Sequence, residues 1–200
     1  MTHGDDRGLK LPPNIAPIQV IVIPVATHKE GVTEKASALK TELEKVCRVG
    51  IDLTDRSPGW KFAEYEMKGI PLRLEIGPKD IENNQCCLVR RDTNEKIFVD
   101  LTDVSASIMS LLTEIQNNMH KTAKNHRDGM IQTATDMNGM KNKKGFIKAM
   151  WCGSAVCEAE LKEQTGVTSR CIPFEKETLS DVCVCCSKPA ETLVYWGRAY

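Results

Sequence analysis

An α/β layer followed by a smaller α+β tail is the fold class that this 200-residue sequence predicts, and three observations predict it. Between Ile18 and Leu101, short β-branched runs alternate with stretches of helical spacing, the pattern of strands and helices folded into layers. A longer amphipathic stretch follows Asp103. Beyond Trp151 the character changes again, with cysteines gathered in WCGSAVC and DVCVCC.

The elements follow in order. The opening MTHGDDRGLKLPPNIA carries adjacent prolines and no periodicity, so an extended connector is expected over residues 1–16. IQVIVIPV, Ile18 to Val25, is a near-continuous apolar run typical of a strand buried on both faces. From Gly31 the spacing changes: Val32, Ala36, Leu39, Leu43 and Val46 fall on one helical stripe with Glu and Lys opposite. GIDLTD predicts a second strand, and GWKFAEYEMKGI a short helix. LRLEIG, CCLVRR and KIFVDL predict three more strands, the last two joined by the turn-like DTNE. Ile108, Leu111, Leu112, Ile115 and Met119 then share one helical face that runs toward His126. A polar stretch with Lys141, Lys143, Lys144 and Lys148 leads to the cysteines, and TLVYWGRAY predicts a terminal strand. The lysine group is expected to be a solvated face more than a dedicated phosphate patch.

Charge narrows the function classes. Lys and Arg number 27 and Asp and Glu 27, so no whole-chain field favours a polyanion or a membrane, and such a partner must be met by a local cluster. No apolar run reaches the roughly 20 residues of a membrane span. The acidic, polar start is unlike a secretory leader, which predicts a cytosolic protein. Nine cysteines in such a chain point to metal ligands and buried thiols before disulfides.

Zinc takes four tetrahedral ligands, and a thiolate pair on a turn supplies two of them. Cys152 and Cys157 form C-x4-C; Cys183 forms C-x-C with Cys185 or C-x2-C with Cys186. The two-residue spacer is favoured, because its turn can direct backbone N–H groups at the sulfurs, which makes Cys152, Cys157, Cys183 and Cys186 the expected set and Cys185 the alternate. Four thiolates close the coordination sphere, so a metal there braces the fold and activates no water. Cys171 in RCIPF is expected in the core, as are Trp60 and Phe62. His3, His28, His120 and His126 are scattered, and no Gly-rich phosphate loop follows a strand. The chain therefore offers no catalytic set of its own.

Taken together, HGDDRGLKLPPNIAPIQVIVIPV, DRSPGWKFAEYEMKGIPLRLEIGPKD, WCGSAVC, RCIPF and the terminal GRAY resemble the carboxyl-terminal half of prolyl-tRNA synthetase of the archaeal and eukaryotic type. The resemblance covers essentially the whole chain. It implies the end of class II motif three and a connector over residues 1–16, an anticodon-binding domain over 17–103, and a helical connector with a zinc-type domain over 104–200. The first of these domains should be a mixed five-stranded sheet flanked by helices. Motifs one and two of the catalytic domain are not in this sequence, so the ATP, Mg2+ and proline of the parent enzyme are expected on a missing domain, through which the parent would form a homodimer. The alternative is a stand-alone RNA-binding or scaffold module that does not aminoacylate.

The resemblance further implies tRNA(Pro) as partner, its anticodon guanines read by Glu66, Arg73 and Lys79, with Lys96 in the DTNEKIF hairpin as a fourth. The chemistry suits those roles. A carboxylate accepts from the N1–H and N2–H2 edge of guanine, and Arg or Lys donates to O6, N7 or phosphate. An anticodon also offers the unstacked loop bases that sequence-specific RNA binding prefers. Arg90, Arg91 and the lysine group are expected to add to the hold on RNA. The Tyr200 carboxylate is implied to lie near the parent's active site. CVCCS departs from the family pattern in having no glycine after either cysteine pair.

Overall fold

The computed structural model describes residues 3–198, so the Tyr200 expectation lies outside the described residues. The chain divides into two compact units, Met1–Ala123 and Lys124–Tyr200.

In order along the chain, the first unit holds β1 (Gly4–Asp5), β2 (Gly8–Leu9), β3 (Val20–Pro24), α1 (Val32–Leu43), β4 (Val49–Ile51), α2 (Pro58–Met67), β5 (Leu72–Ile76), α3 (Pro78–Glu82), β6 (Gln85–Arg90) and β7 (Lys96–Asp100). The long α4 (Val104–Gly129) runs across the division. Five strands form one sheet in the order β4-β3-β5-β6-β7. β3 is parallel to β4 and β5, while β6 is antiparallel to β5 and β7, so the sheet is mixed.

Alternation along β5 divides the sheet into two unlike faces. Leu72, Leu74 and Ile76 point to one side, where they join Val20, Val22 and Leu88, the α1 residues Ala36, Leu39 and Leu43, and Ile108, Leu112 and Ile115 of α4. Arg73 and Glu75 point to the other side. There α2 covers the β3 end through Ile21, Ile23, Ile70, Phe62 and Tyr65. α2 starts where its sequence says it should: Ser57 caps Trp60 N–H at 3.4 Å, and Pro58 occupies the first helical position. Lys61 of the same helix is buried and donates to the Asp52 backbone carbonyl at 3.0 Å, with the Asp52 carboxylate 3.6 Å away, so this lysine is an anchor.

Three expectations for this unit are corrected. Part of residues 1–16 forms the β1–β2 hairpin. Gly8 and Gly69 have φ of 123° and 73°, and a Cβ on either would come within 2.6 Å of Met67 or Leu9, so the hairpin lies against the end of α2 where only glycine fits. Val46 is exposed because α1 ends at the Glu44 cap. Trp60 is 42% exposed with the Arg56 guanidinium 3.9 Å above its ring; the Pro58 turn points it outward, and only Phe62 turns inward.

The second unit contains β8 (Ile131–Thr133), α5 (Met137–Lys141), β9 (Phe146–Trp151), α6 (Ala155–Thr165), β10 (Val167–Cys171) and β11 (Thr192–Arg198). Its sheet has the order β10-β11-β9-β8. Met140, Ile147, Leu161, Val167, Val194 and Trp196 make its main core, and Trp151 meets Trp196 edge to face at 6.4 Å. Cys171 is exposed, a further correction: the register of β10 shifts between Ser169 and Cys171, which turns that side chain out of the alternation.

Candidate nucleic-acid interface and cysteine cluster

The site on the first unit is built from strand register. Two rows of side chains cross the sheet face opposite α1 and α4: Arg73, Val89 and Lys96 in one, and Glu75, Cys87 and Phe98 in the next; Lys96 and Phe98 are exposed, and Arg73, Val89 and Cys87 are buried. Arg73 is 8% exposed, yet its charge is fully accommodated. Its Nε donates to Glu75 Oε1 at 2.8 Å, its Nη1 donates to Glu66 Oε1 at 3.1 Å, and its guanidinium lies 4.1 Å over the Phe62 ring. The ring contact and two carboxylates hold the fork in one orientation, which a lysine could not reproduce. Glu66 reaches it from α2 and remains partly exposed.

Lys79 stands at the start of α3, past the carboxyl end of β5, and Lys96 opens β7. Both are exposed, and among the described residues neither makes an ion pair. Lys96 thus shares the Arg73 row, while Lys79 lies at the strand end with no recorded contact to it. Glu66, Arg73 and Tyr65 also border, with Asn94 and Arg91, a dimple of about 10 Å³. That is far below the roughly 300–1,000 Å³ of small-molecule sites, so it is no pocket for a whole small molecule.

Arg90 and Arg91 are corrected as RNA contacts, because both are buried and all three guanidinium nitrogens of each are bonded within the protein, whereas Arg73, equally buried, makes no such bond at Nη2 among the described residues. Arg90 grips Asp92 through two bonds of 2.9 and 3.1 Å and reaches Glu114 at 3.3 Å. Arg91 holds Asp5 with bonds of 2.7 and 3.0 Å, and its Nε donates to the Glu66 carbonyl at 3.0 Å. Arg91 therefore ties the amino-terminal hairpin to the end of α2 that presents Glu66, a positioning role with no signal in the sequence beyond a paired RR. Of the lysine group, Lys143 donates to the Thr133 carbonyl and Lys148 to Glu177, so two of the four are occupied within their own unit.

In the second unit the ligand atoms of Cys152, Cys157, Cys183 and Cys186 all lie within 4.8 Å of one another, an arrangement that could hold a metal ion. The Cys152 sulfur is 3.7 Å from that of Cys157 and 3.8 Å from that of Cys186. Four sulfurs placed tetrahedrally about 2.3 Å from a zinc ion would be about 3.8 Å apart, so the set fits that metal. None of the nine cysteines is in a disulfide. A tight turn, closed by Cys183 N–H to the Lys188 carbonyl and Ser187 N–H to the Cys183 carbonyl, presents Cys183 and Cys186 together. Burial works against a Cys183 thiolate, but backbone N–H groups of Cys186, Cys185 and Cys152 bring its pKa down to about 7. Burial pushes Cys157 well above the ordinary thiol range. Cys185 turns away and donates to Glu160 at 3.4 Å. Ser187, directly after Cys186, adopts φ 57°.

A mixed five-stranded sheet with Arg73, Glu75 and Lys96 on one face, and a separate unit with clustered thiols, define an α/β protein of two units. Residues 19–111 match the family described as anticodon binding domain, and residues 135–200 match the family described as prolyl-tRNA synthetase, C-terminal. The sequence is 57% identical over 204 residues to a proline–tRNA ligase of Clostridium novyi (strain NT), covering 100% of this chain and 43% of that protein. It is 58% identical over 204 residues to the one of Clostridium botulinum (strain Loch Maree / Type A3), again covering 43% of it. For that of Oceanobacillus iheyensis the identity is 56% over 203 residues, and 42% of the relative is covered. The chain thus spans less than half the length of these curated relatives. It belongs to the prolyl-tRNA synthetase family and carries the anticodon-binding and carboxyl-terminal domains of that family.

Proposed function

We propose that this chain supplies tRNA(Pro) selection to a proline–tRNA ligase, which joins proline to tRNA with ATP and releases AMP and diphosphate. The observation that carries this reading is the fixed Arg73 fork beside the partly exposed Glu66 carboxylate, with the exposed Lys96 in the same row of the sheet. In this arrangement Glu66 accepts from the Watson–Crick edge of an anticodon guanine, and Arg73 holds that carboxylate in place and donates to the same base. Lys79 and Lys96 meet the neighbouring phosphates or the second guanine.

The anticodon-binding domain is taken as residues 17–103 and the connector with the tail domain as 104–200. The archaeal and eukaryotic type of the enzyme is part of this proposal and rests on the motif resemblance of HGDDRG, WCGSAVC, RCIPF and the terminal GRAY. The parent's ATP, Mg2+ and proline sites, its homodimer contact and its cytoplasmic location are carried over with the family reading. Tyr200 near the parent's active site is carried over likewise. Among the described residues no helix is long and apolar enough to cross a membrane.

Cys152, Cys157, Cys183 and Cys186 would hold a zinc ion, supported by sulfur spacings that suit a tetrahedral site. All four positions being thiolate, the ion would brace the fold. The test of the functional reading is binding of the chain to an anticodon stem-loop carrying UGG and to the same RNA with the middle guanine replaced by adenine. A preference for guanine that disappears in Arg73→Ala is expected. Equal affinity of the unmodified chain for both RNAs would overturn it.

A further inference from the structure

The sheet face that holds Arg73 carries an exposed aromatic side chain that guanine reading does not use. Phe98, at the middle of β7, is 62% exposed. Core packing does not put it there: its neighbours Ile97 and Val99 turn to the buried face, and Lys96 and Asp100, two residues either side, are exposed polar groups of the kind a solvated strand face carries. Register sets Phe98 beside Cys87, which pairs in turn with Glu75, the carboxylate that holds Arg73. The ring therefore stands two strand spacings from Glu75, about 10 Å across the sheet. Between ring and fork the surface is floored by the small buried side chains of Cys87 and Val89. On the same face, Lys96 leaves a cation without an ion pair among the described residues.

We propose that Phe98 is a stacking platform for the unstacked loop base adjacent to the guanine read by Arg73 and Glu66. This rests on the guanine-reading proposal and deepens it. An exposed aromatic face amid polar neighbours on an open sheet, with a free ammonium beside it for the phosphate, meets what a splayed single-stranded base requires. The flat ring accepts any base by its π face, so Phe98 adds affinity and holds the loop open. Selectivity for guanine stays with Arg73 and Glu66.

The test uses the full chain and a UGG stem-loop RNA with 2-aminopurine placed at each loop position next to the guanines in turn. Phe98→Ala is expected to weaken binding about tenfold, within the span of single base–aromatic contacts. It should also abolish the fluorescence quenching seen at one of the labelled positions. Phe98→Tyr should restore both, and Phe98→Leu, apolar but without a π face, should restore neither. The guanine preference should survive in every Phe98 variant. Unchanged affinity in Phe98→Ala, or full rescue by leucine, would overturn the platform. A change in self-association or protein capture with RNA affinity unaltered would overturn it too, as a sign that protein covers the ring. Failure of the underlying reading would look different: the unmodified chain would show no preference for guanine, whatever the Phe98 variants did.

Discussion

The two units close their interiors by different means. The first seals one whole sheet face with aliphatic side chains from α1 and α4, and its opposite face can therefore keep a partly uncovered row of charges. The second has a shorter chain and a smaller apolar core, and a second buried group there consists of Met150, Leu193 and Ala190 together with Cys157 and Cys183. Small folds with little apolar surface to bury commonly add a metal or cross-link. The difference teaches where function can sit: a unit whose stability comes from one face leaves the other for recognition, and a unit whose cysteines would be taken up by the proposed zinc ion would have that chemistry already committed.

The largest expected effect is on that bracing. For structural zinc sites the binding free energy, about 10 kcal/mol or more, is folding free energy. Chelation should therefore open β9 and β11 to hydrogen exchange while β3, β5 and β6 stay protected. Uniform protection across both sheets after chelation would break the comparison. Next, Leu74→Ala on the sealed face should cost roughly 2–5 kcal/mol in urea unfolding, by lost burial and a cavity. Its neighbour Arg73→Lys should cost less stability while removing guanine preference, since an ammonium lacks the planar fork.

A pH dependence sharpens the same contrast. Burial raises the Asp92 carboxyl, but the bonds from Arg90 and Asn118 prevail and hold its pKa below the ordinary value. A depressed folded-state pKa gives stability that is complete above the unfolded value near ~3.9 and lost as pH falls toward the folded one. Urea midpoints of the first unit should therefore drop below pH 4, and Asp92→Asn should flatten that slope. A slope unchanged by the substitution would remove Asp92 from the account. The smallest effect falls at Ser187, whose φ of 57° is one that side chains other than glycine adopt at a cost of about 1 kcal/mol or more. Ser187→Gly should raise the tail's unfolding midpoint by about that much, and a lower midpoint would contradict it.

The elements that sequence reasoning found are those whose side chains obey one period for several turns or residues. VIVIP is buried throughout, and α1 and α4 carry their apolar residues on a single stripe. What it missed has weak or short periodicity. α3 is a single turn, and α6 buries only Cys157, Leu161 and Thr165, so neither signals a helix. β9 starts within the lysine-rich stretch and was hidden by it. The family resemblance names Glu66 and Arg73, but nothing in their spacing announces the contact between them, which arises because the intervening turn brings the end of α2 over β5. Charge alone misled at Arg90 and Arg91. A basic residue in sequence looks free, and only the tertiary fold reveals the carboxylates of Asp92 and Asp5 that occupy it.

A double-mutant cycle probes the reading of guanine at its narrowest point. Glu66→Gln would be crossed with replacement of the middle guanine by inosine, which lacks only the exocyclic amine that the carboxylate accepts from. A coupling of about 1–3 kcal/mol is expected, because each change alone removes the same charge-assisted contact. Strictly additive losses would contradict the account and leave Glu66 as nothing more than an ion-pair partner of Arg73.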